Sequence, residues 1–318
     1  MKRLGFAALL LLLSLQPAFA EDRYIFILIA RGNSYWTTMA NGIQDEAHSK
    51  GVTSIVYNTD SATDAEQQLT ICQTAIQSKP KALVMSAINA SIATQCFKMA
   101  AEQGIPFADI DGAFSITDAQ KAGLKMAFSV GSDNYTIGQE SAQYAAKIAG
   151  KPNPKVFILE GTVGSLQARK RADGFKDKLK DLLPLSDVVA SISVNFDRIK
   201  AMNATLDILQ RQPDLDIVYA ANDDMALGAA EAVRTLHRET QIKIIGVDGT
   251  ADARKAILDG RLNASVAQLP YLMGKRSVEL AIDASTSHKT GQSETTATPV
   301  LTKELLQSNS DPVLQYVR

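Results

Sequence analysis

The chain has 318 residues, 46% hydrophobic and 21% charged, with 33 basic against 34 acidic side chains. That composition belongs to an ordinary folded protein rather than a disordered one, and its near-neutral balance lacks the basic footprint of a nucleic-acid binder. A chain of about 300 residues exceeds what a single core comfortably holds, so two lobes are expected.

The chain opens with Lys2 and Arg3, an apolar run from Leu4 to Leu15, and Ala18-Phe19-Ala20 ahead of Glu21. A positive start, a short apolar stretch and small residues before a cut form a secretory signal peptide. The run is shorter than the ~20 residues of a bilayer-spanning helix. We therefore expect residues 1–20 to be a signal segment cleaved near Ala20, leaving a soluble, exported chain. With Lys2 and Arg3 gone, 31 basic residues face 34 acidic ones, a net charge of −3.

Strand and helix then alternate. Tyr24–Ala30 (YIFILIA) is a continuous apolar, β-branched run, the mark of a strand covered on both faces. A helix is predicted over Trp36–Lys50, ended by Gly51, and a strand over Thr53–Tyr57. A helix over Asp64–Ser78 stops at Lys79-Pro80, and a strand follows over Ala82–Met85. A helix over Ser91–Gln103 is closed by Gly104, and Phe107–Ile110 is the next strand. The pattern resumes with strand Val156–Leu159, helix Ala168–Leu182 and strand Val188–Val194. Helix Arg198–Arg211 ends before Pro213, and strand Ile217–Ala220 follows. Asn222 is placed to cap a helix over Asp223–Leu236. Strand Ile242–Val247, helix Ala251–Leu258, strand Ala264–Ala267 and helix Tyr271–Ala284 precede a polar stretch, Ser285–Thr298. Such alternation predicts an α/β chain of two similar doubly wound parallel-sheet lobes.

Chemistry-bearing motifs are few. Of the three histidines, His48 and His237 fall on predicted helices and His288 in the polar stretch, none beside a nucleophile. Metal-ligand spacings and a Gly-x-Ser-x-Gly elbow are absent from the sequence. Gly161 and Gly164 follow a strand, but no Gly-Lys-Ser/Thr comes after them and the three-glycine dinucleotide fingerprint is incomplete. We expect no cofactor and no enzymatic activity, an acid–base pair of Asp111 and Asp248 being the catalytic alternative.

Cys72 and Cys96 are the two cysteines of the chain. Their helices flank the third predicted strand. With strand order 2-1-3-4-5, as in flavodoxin-like sheets, right-handed crossovers put both helices on one sheet face. Cys72 shares a helix face with Leu69 and Ile76, and Cys96 with Ile92 and Met99. A Cys72–Cys96 disulfide is the expectation, and two reduced thiols acting as small core hydrophobes are the alternative.

Seven stretches carry a closer likeness. They are Gly32-Asn33-Ser34-Tyr35-Trp36; Gly104-Ile105-Pro106 leading to Asp111; Glu160-Gly161-Thr162-Val163-Gly164 leading to Ala168-Arg169-Lys170-Arg171; and Asn195-Phe196-Asp197-Arg198-Ile199-Lys200. Ala221-Asn222-Asp223-Asp224-Met225-Ala226-Leu227-Gly228, Gly246-Val247-Asp248-Gly249-Thr250 and Ala264-Ser265-Val266-Ala267-Gln268-Leu269-Pro270 complete the set. In this order and spacing the chain resembles the periplasmic ribose- and allose-binding protein family.

The resemblance implies two lobes joined by a three-segment hinge and closing on a ligand between them. By that likeness the first lobe holds 21–132 plus 269–297, and the second 133–268 plus 298–318. It implies a periplasmic, monomeric protein that hands a small neutral sugar or polyol to the permease of an ABC importer. The alternative is a periplasmic sensor presenting a sugar-like signal to a chemoreceptor or histidine kinase.

The implied ligand-binding residues are Asn33, Tyr35, Trp36, Asp111, Arg171, Phe196, Asn222, Asp248 and Gln268. Their chemistry fits a ring of hydroxyls at the carboxyl ends of parallel strands. Asp111 and Asp248 accept hydrogen bonds, Arg171 donates from a planar fork, and the three amides do both. Tyr35, Trp36 and Phe196 offer flat faces to the C–H face of a sugar. Four of them also have a structural alternative: Asn222 as a helix cap, Phe196 as core, Asp248-Gly249 as a turn, Arg171 as a solvated helix residue. Two departures stand out. Gly112 replaces the arginine that ribose binders carry, and Ile29 replaces a polar residue of the first strand. Arg31 is a candidate substitute or else an exposed rim charge.

Overall fold

The computed structural model describes residues 22–308, 310 and 312–316, so the predicted signal segment lies outside the described residues. Beginning at β1 (Arg23–Leu28), the chain continues through α1 (Ser34–Lys50), β2 (Thr53–Asn58), α2 (Ala65–Gln77), β3 (Ala82–Met85) and α3 (Ala90–Glu102). β4 (Phe107–Ile110), α4 (Ile116–Lys121) and β5 (Phe128–Ser132) complete its first half. The second half comprises α5 (Asn134–Ile148), β6 (Lys155–Glu160), α6 (Leu166–Leu182), β7 (Asp187–Ser193), α7 (Arg198–Arg211) and β8 (Ile217–Ala220), then α8 (Asp223–Thr235), β9 (Lys243–Asp248), α9 (Ala251–Leu258) and β10 (Ala264–Ala267). α10 (Pro270–Ser287), β11 (Gln292–Thr296), β12 (Val300–Leu301) and α11 (Lys303–Ser308) follow.

These elements form two six-stranded sheets. One runs β11-β5-β4-β3-β1-β2, with every pair parallel. The other runs β12-β10-β9-β8-β6-β7, parallel except where β12 meets β10. Each sheet is covered on both faces, and β1 shows how the sequence achieves it. Ile25 and Ile27 enter the cluster that holds Cys72 and Cys96, while Tyr24, Phe26 and Leu28 enter the cluster under α1 and α10. Strand side chains alternate in direction, so a strand buried on both faces must be apolar throughout.

The chain passes between the sheets three times, after β5, after β10 and between β11 and β12. α5 packs against α6 and β9 in the second lobe, and α10 against α1 in the first. Both helix pairs meet through glycines. A Cβ at Gly138 would lie 2.2 Å from the Arg171 carbonyl oxygen, and one at Gly274 2.3 Å from that of Met39. This close approach fixes where α6 and α1 present their first turns to the cleft.

Side-chain caps start the helices near the cleft: Asn33 accepts from Tyr35 N, Ser165 from Ala168 N, and Asn222 from Met225 N. Gly51 ends α1 at φ 67°, a conformation that glycine adopts without a Cβ penalty. The predicted strand Tyr24–Ala30 stops at Leu28, because Ala30 turns at φ 52° and carries the chain out toward the other lobe. The polar stretch Ser285–Thr298 contains β11, which pairs with β5 and is held by Arg276 on Glu294 at 2.6 and 2.7 Å. Cys72 and Cys96 form a disulfide across α2 and α3, with Cα atoms 6.0 Å apart and no solvent exposure. The strand order does bring the two helices onto one face, and the reduced-thiol alternative is set aside.

Candidate ligand-binding cleft

The carboxyl ends of the strands in both sheets face one cavity, which encloses about 680 Å³ when the open solvent at its mouth is counted. All nine residues singled out in the sequence line it. Asn33, Tyr35, Trp36 and Asp111 come from the first lobe, Arg171, Phe196, Asn222 and Asp248 from the second, and Gln268 from the crossing after β10.

Arg171 lies on α6, only 4% exposed. Its Nε donates to Asn134 Oδ1 and its Nη1 to the Ala221 carbonyl, both at 2.7 Å, and Nη1 also stands 3.5 Å from Asp248 Oδ1. The solvated-helix alternative for this residue does not hold. A guanidinium tied at two nitrogens is oriented before any ligand arrives, which lowers the cost of capturing one.

Asp111 Oδ1 accepts from the Tyr35 hydroxyl and Oδ2 from Gln167 Nε2 at 3.1 Å. Burial pushes its carboxyl up to about 6, against the pull of the Tyr35 hydrogen bond, the Arg171 charge and Gln167. Asp248 Oδ1 accepts from Gln268 Nε2 at 2.7 Å. Burial also drives Asp248 well above the usual carboxylate range, Arg171 opposes this, and Asp223 adds to it. The two carboxylates sit on unusual backbone, at φ 79° and 116°, and Asn195 and Phe196 follow at 59° and 57°. Non-glycine residues with positive φ cost free energy and gather where a site requires a set direction.

Beneath Asp248 lies a fully buried support. Asp223 accepts from Ser265 Oγ and from Thr250 N, each at 2.7 Å, and burial raises its carboxyl to about 7. Gly249 N donates to Ser265 Oγ at 3.0 Å, so this cluster pins the turn that carries Asp248. Asn222 both caps α8 and lines the cavity, so its two readings coexist. Gly161 makes room for Phe196: a Cβ there would fall 2.1 Å from the ring. The phosphate-loop likeness of that glycine has a packing cause.

Side chains reach from one lobe to the other, the Tyr35 hydroxyl among them, 3.3 Å from Gln268 Oε1. Asn33 Nδ2 donates to Asp224 Oδ2 at 2.7 Å, and Gln167 reaches Asp111 as described. Arg31 is not part of the lining. It is exposed and lies 3.5 Å from Asp60, which makes it a rim charge. Gly112 opens toward the Ser132 carbonyl and the Asn134 amide, behind Arg171.

Sequence reasoning missed Thr162, Ser165 and Gln167, which line the second lobe's side, and Ala30, Ala62, Ala87 and Ile88 on the first. Ser165 had a usable signal, a serine three residues before the predicted start of a helix. Alanine and isoleucine after a strand look like core.

Two parallel α/β lobes clasping a polar, aromatic-flanked cavity define a cleft-binding protein. The chain belongs to the family described as periplasmic binding protein domain, whose sequence model matches residues 24–289. It is 30% identical over 272 residues to the D-allose-binding periplasmic protein of Escherichia coli (strain K12), covering 86% of this chain and 87% of that one. It is 32% identical over 264 residues to the ribose import binding protein of the same organism, covering 83% and 85%. Among solved structures, a periplasmic solute-binding protein of an ABC transporter from Actinobacillus succinogenes 130z, with bound D-allose, superposes at TM-score 0.84 with 26% identity. It covers 91% of this chain and all of the other. These relatives are binding proteins of transport systems, and the chain is not an enzyme.

Proposed function

We propose that this chain captures a small neutral sugar or polyol in the interlobe cleft and delivers it to the permease of an ABC importer. The observation that carries the reading is the convergence of Asp111, Asp248, Arg171 and Gln268 on one cavity flanked by Trp36 and Phe196. The carboxylates accept from ligand hydroxyls, Arg171 donates, Asn222 and Gln268 add amides, and the aromatic rings cover the C–H face. An anionic ligand would add charge where burial already holds Asp111 and Asp248 toward their neutral forms. The ribose and allose named for the relatives support the same ligand class.

We further propose lobe limits of 21–132 plus 269–297 and 133–268 plus 298–318, supported by the three crossings between sheets, and cleavage near Ala20. A thermal-shift screen of the mature chain against pentoses, hexoses, polyols and deoxy sugars, followed by calorimetry, tests the binding. A screen in which no sugar or polyol raises the unfolding temperature refutes it. Uptake of the labelled ligand by cells lacking the chain tests delivery, and undiminished uptake would remove the importer role.

A further inference from the structure

The cavity lining has two unlike sections. Asp111, Arg171, Asp248 and Gln268 form a polar one. Ile29 and Ala30 after β1, Ala62 between β2 and α2, and Ala87 and Ile88 after β3 form an apolar one within the first lobe. The sheet order keeps them apart: β2, β1 and β3 are consecutive neighbours, and β4, which carries Asp111 at its end, comes next.

Two backbone amides of the second section are also occupied from behind. Ala30 N donates to Thr59 Oγ1 at 3.2 Å and Arg31 N to the Thr59 carbonyl at 2.7 Å. Ile88 N donates to Gln68 Oε1 at 2.9 Å, and Gln68 Nε2 turns back to the Ser86 carbonyl at 2.9 Å. Thr59 and Gln68 have no solvent exposure. They tie up, from behind, the Ala30 and Ile88 amides, which would otherwise be free to donate to a ligand hydroxyl. A hydroxyl pressed on these side chains loses its water and gains no side-chain partner from them, which is costly. A methyl group there loses nothing and leaves water.

We propose that the ligand is amphipathic, a deoxy sugar whose hydroxyls face Asp111, Arg171, Asp248 and Gln268 and whose deoxygenated carbon packs on Ile29, Ala30, Ala62, Ala87 and Ile88. This rests on the sugar reading above and narrows it.

Matched pairs differing by one hydroxyl test it: D-fucose with D-galactose, L-fucose with L-galactose, L-rhamnose with L-mannose, and 5-deoxy-D-ribose with D-ribose. Each is titrated into the mature chain by calorimetry, beside a set of fully hydroxylated sugars and polyols. In the pair that binds, the deoxy member should bind ~10–100-fold more tightly, the range open to an apolar pocket facing one extra hydroxyl. Ile29→Ser supplies a hydroxyl partner and should shrink that ratio at least about threefold, with thermal melting confirming a folded variant. Equal affinities, a preference for the hydroxylated member, or binding confined to fully hydroxylated compounds overturns the inference and leaves the sugar reading standing. A ratio unchanged in Ile29→Ser removes the wall as its cause. Absence of binding by every compound overturns the sugar reading and this one with it.

Discussion

Acidification should push stability and ligand affinity in opposite directions. Asp111 is raised by burial to about 6 and Asp223 to about 7, and Asp248 and Asp109 are also raised by burial. A carboxyl whose folded value exceeds its unfolded one binds more protons when folded. Its ionised form therefore costs stability at neutral pH, and the cost is relieved as pH falls from the folded value toward the unfolded one. Between pH 7.5 and 5.5 the unfolding temperature of the free protein should rise. Groups shifted the other way, such as Glu46 beside Lys275 and Lys50, withdraw their support only below the ordinary carboxylate range.

Affinity behaves oppositely, because a ligand hydroxyl that donates to Asp111 needs the carboxylate. With a free value of about 6 and a bound value at or below the ordinary one, affinity drops roughly tenfold from pH 7 to pH 5. Calorimetry at constant ionic strength, using the sugar that the screen selects, measures this. Asp111→Asn should bind weakly at every pH and lose the part of the dependence centred near 6. Affinity that is flat from pH 7 to 5, or that keeps this inflection in Asp111→Asn, would refute the role given to Asp111.

Arg171→Ala and Asp248→Ala should each weaken ligand binding by about 2–4 kcal/mol, since truncation strands a buried polar partner. Calorimetry showing both unchanged would remove the cleft from consideration. The disulfide closes a loop with a sequence separation of 24, so replacing both cysteines by alanine should cost about 3.5 kcal/mol on the chain-entropy relation. Denaturant unfolding of the double variant against the oxidised parent measures that loss, and one below ~1 kcal/mol would contradict it. Gly161→Ala drives a methyl into the Phe196 ring and should lower affinity about tenfold through displacement of that ring. An unaltered affinity would mean that Phe196 does not cover the ligand.

The fold was largely legible because its signals are redundant. In β1, four fully buried apolar residues (Ile25 to Leu28) announce a strand covered on both faces, and Asn222 and Gly51 mark helix ends. Residues between Ile110 and Lys155 gave no such signal. β5 reads FSVGS, with Ser129 answering Asp109 and Gly131 lying against the Gly112 backbone, so polarity and small size hide a buried strand. α5 buries Asn134, Gly138 and Ser141, which a hydrophobic pattern cannot mark. β11 is polar because ion pairing to Arg276, more than apolar burial, holds this edge strand. In the site, residues just past strand ends were readable by chemistry and place together. Gln167 was not, because its value lies in reaching the other lobe's Asp111. That relation exists only once both lobes are folded.

Closure itself can be probed away from the cavity. Asp224 is not among the lining residues, yet its Oδ2 receives Asn33 Nδ2 from the opposite lobe at 2.7 Å. A hydrogen bond to a charged partner contributes about 1.5–3 kcal/mol net when buried and less when water competes. Burial raises Asp224 and Arg198 opposes that rise, so its carboxylate is partly desolvated. Because the bridge joins lobes, its loss should weaken the closed arrangement more than either lobe. The ligand must then supply the missing closure energy, and its apparent affinity falls by the same factor. Asp224→Ala should therefore weaken binding about 3- to 10-fold, chiefly through faster release, with a nearly unchanged unfolding temperature. Asp224→Asn keeps an acceptor for the Asn33 amide and should recover part of the loss. Asn33→Ala is the poorer test, since Asn33 Oδ1 also caps α1 and the variant would lose helix stability as well. Stopped-flow release rates that are the same in Asp224→Ala and the parent would show that the bridge does not hold the lobes together.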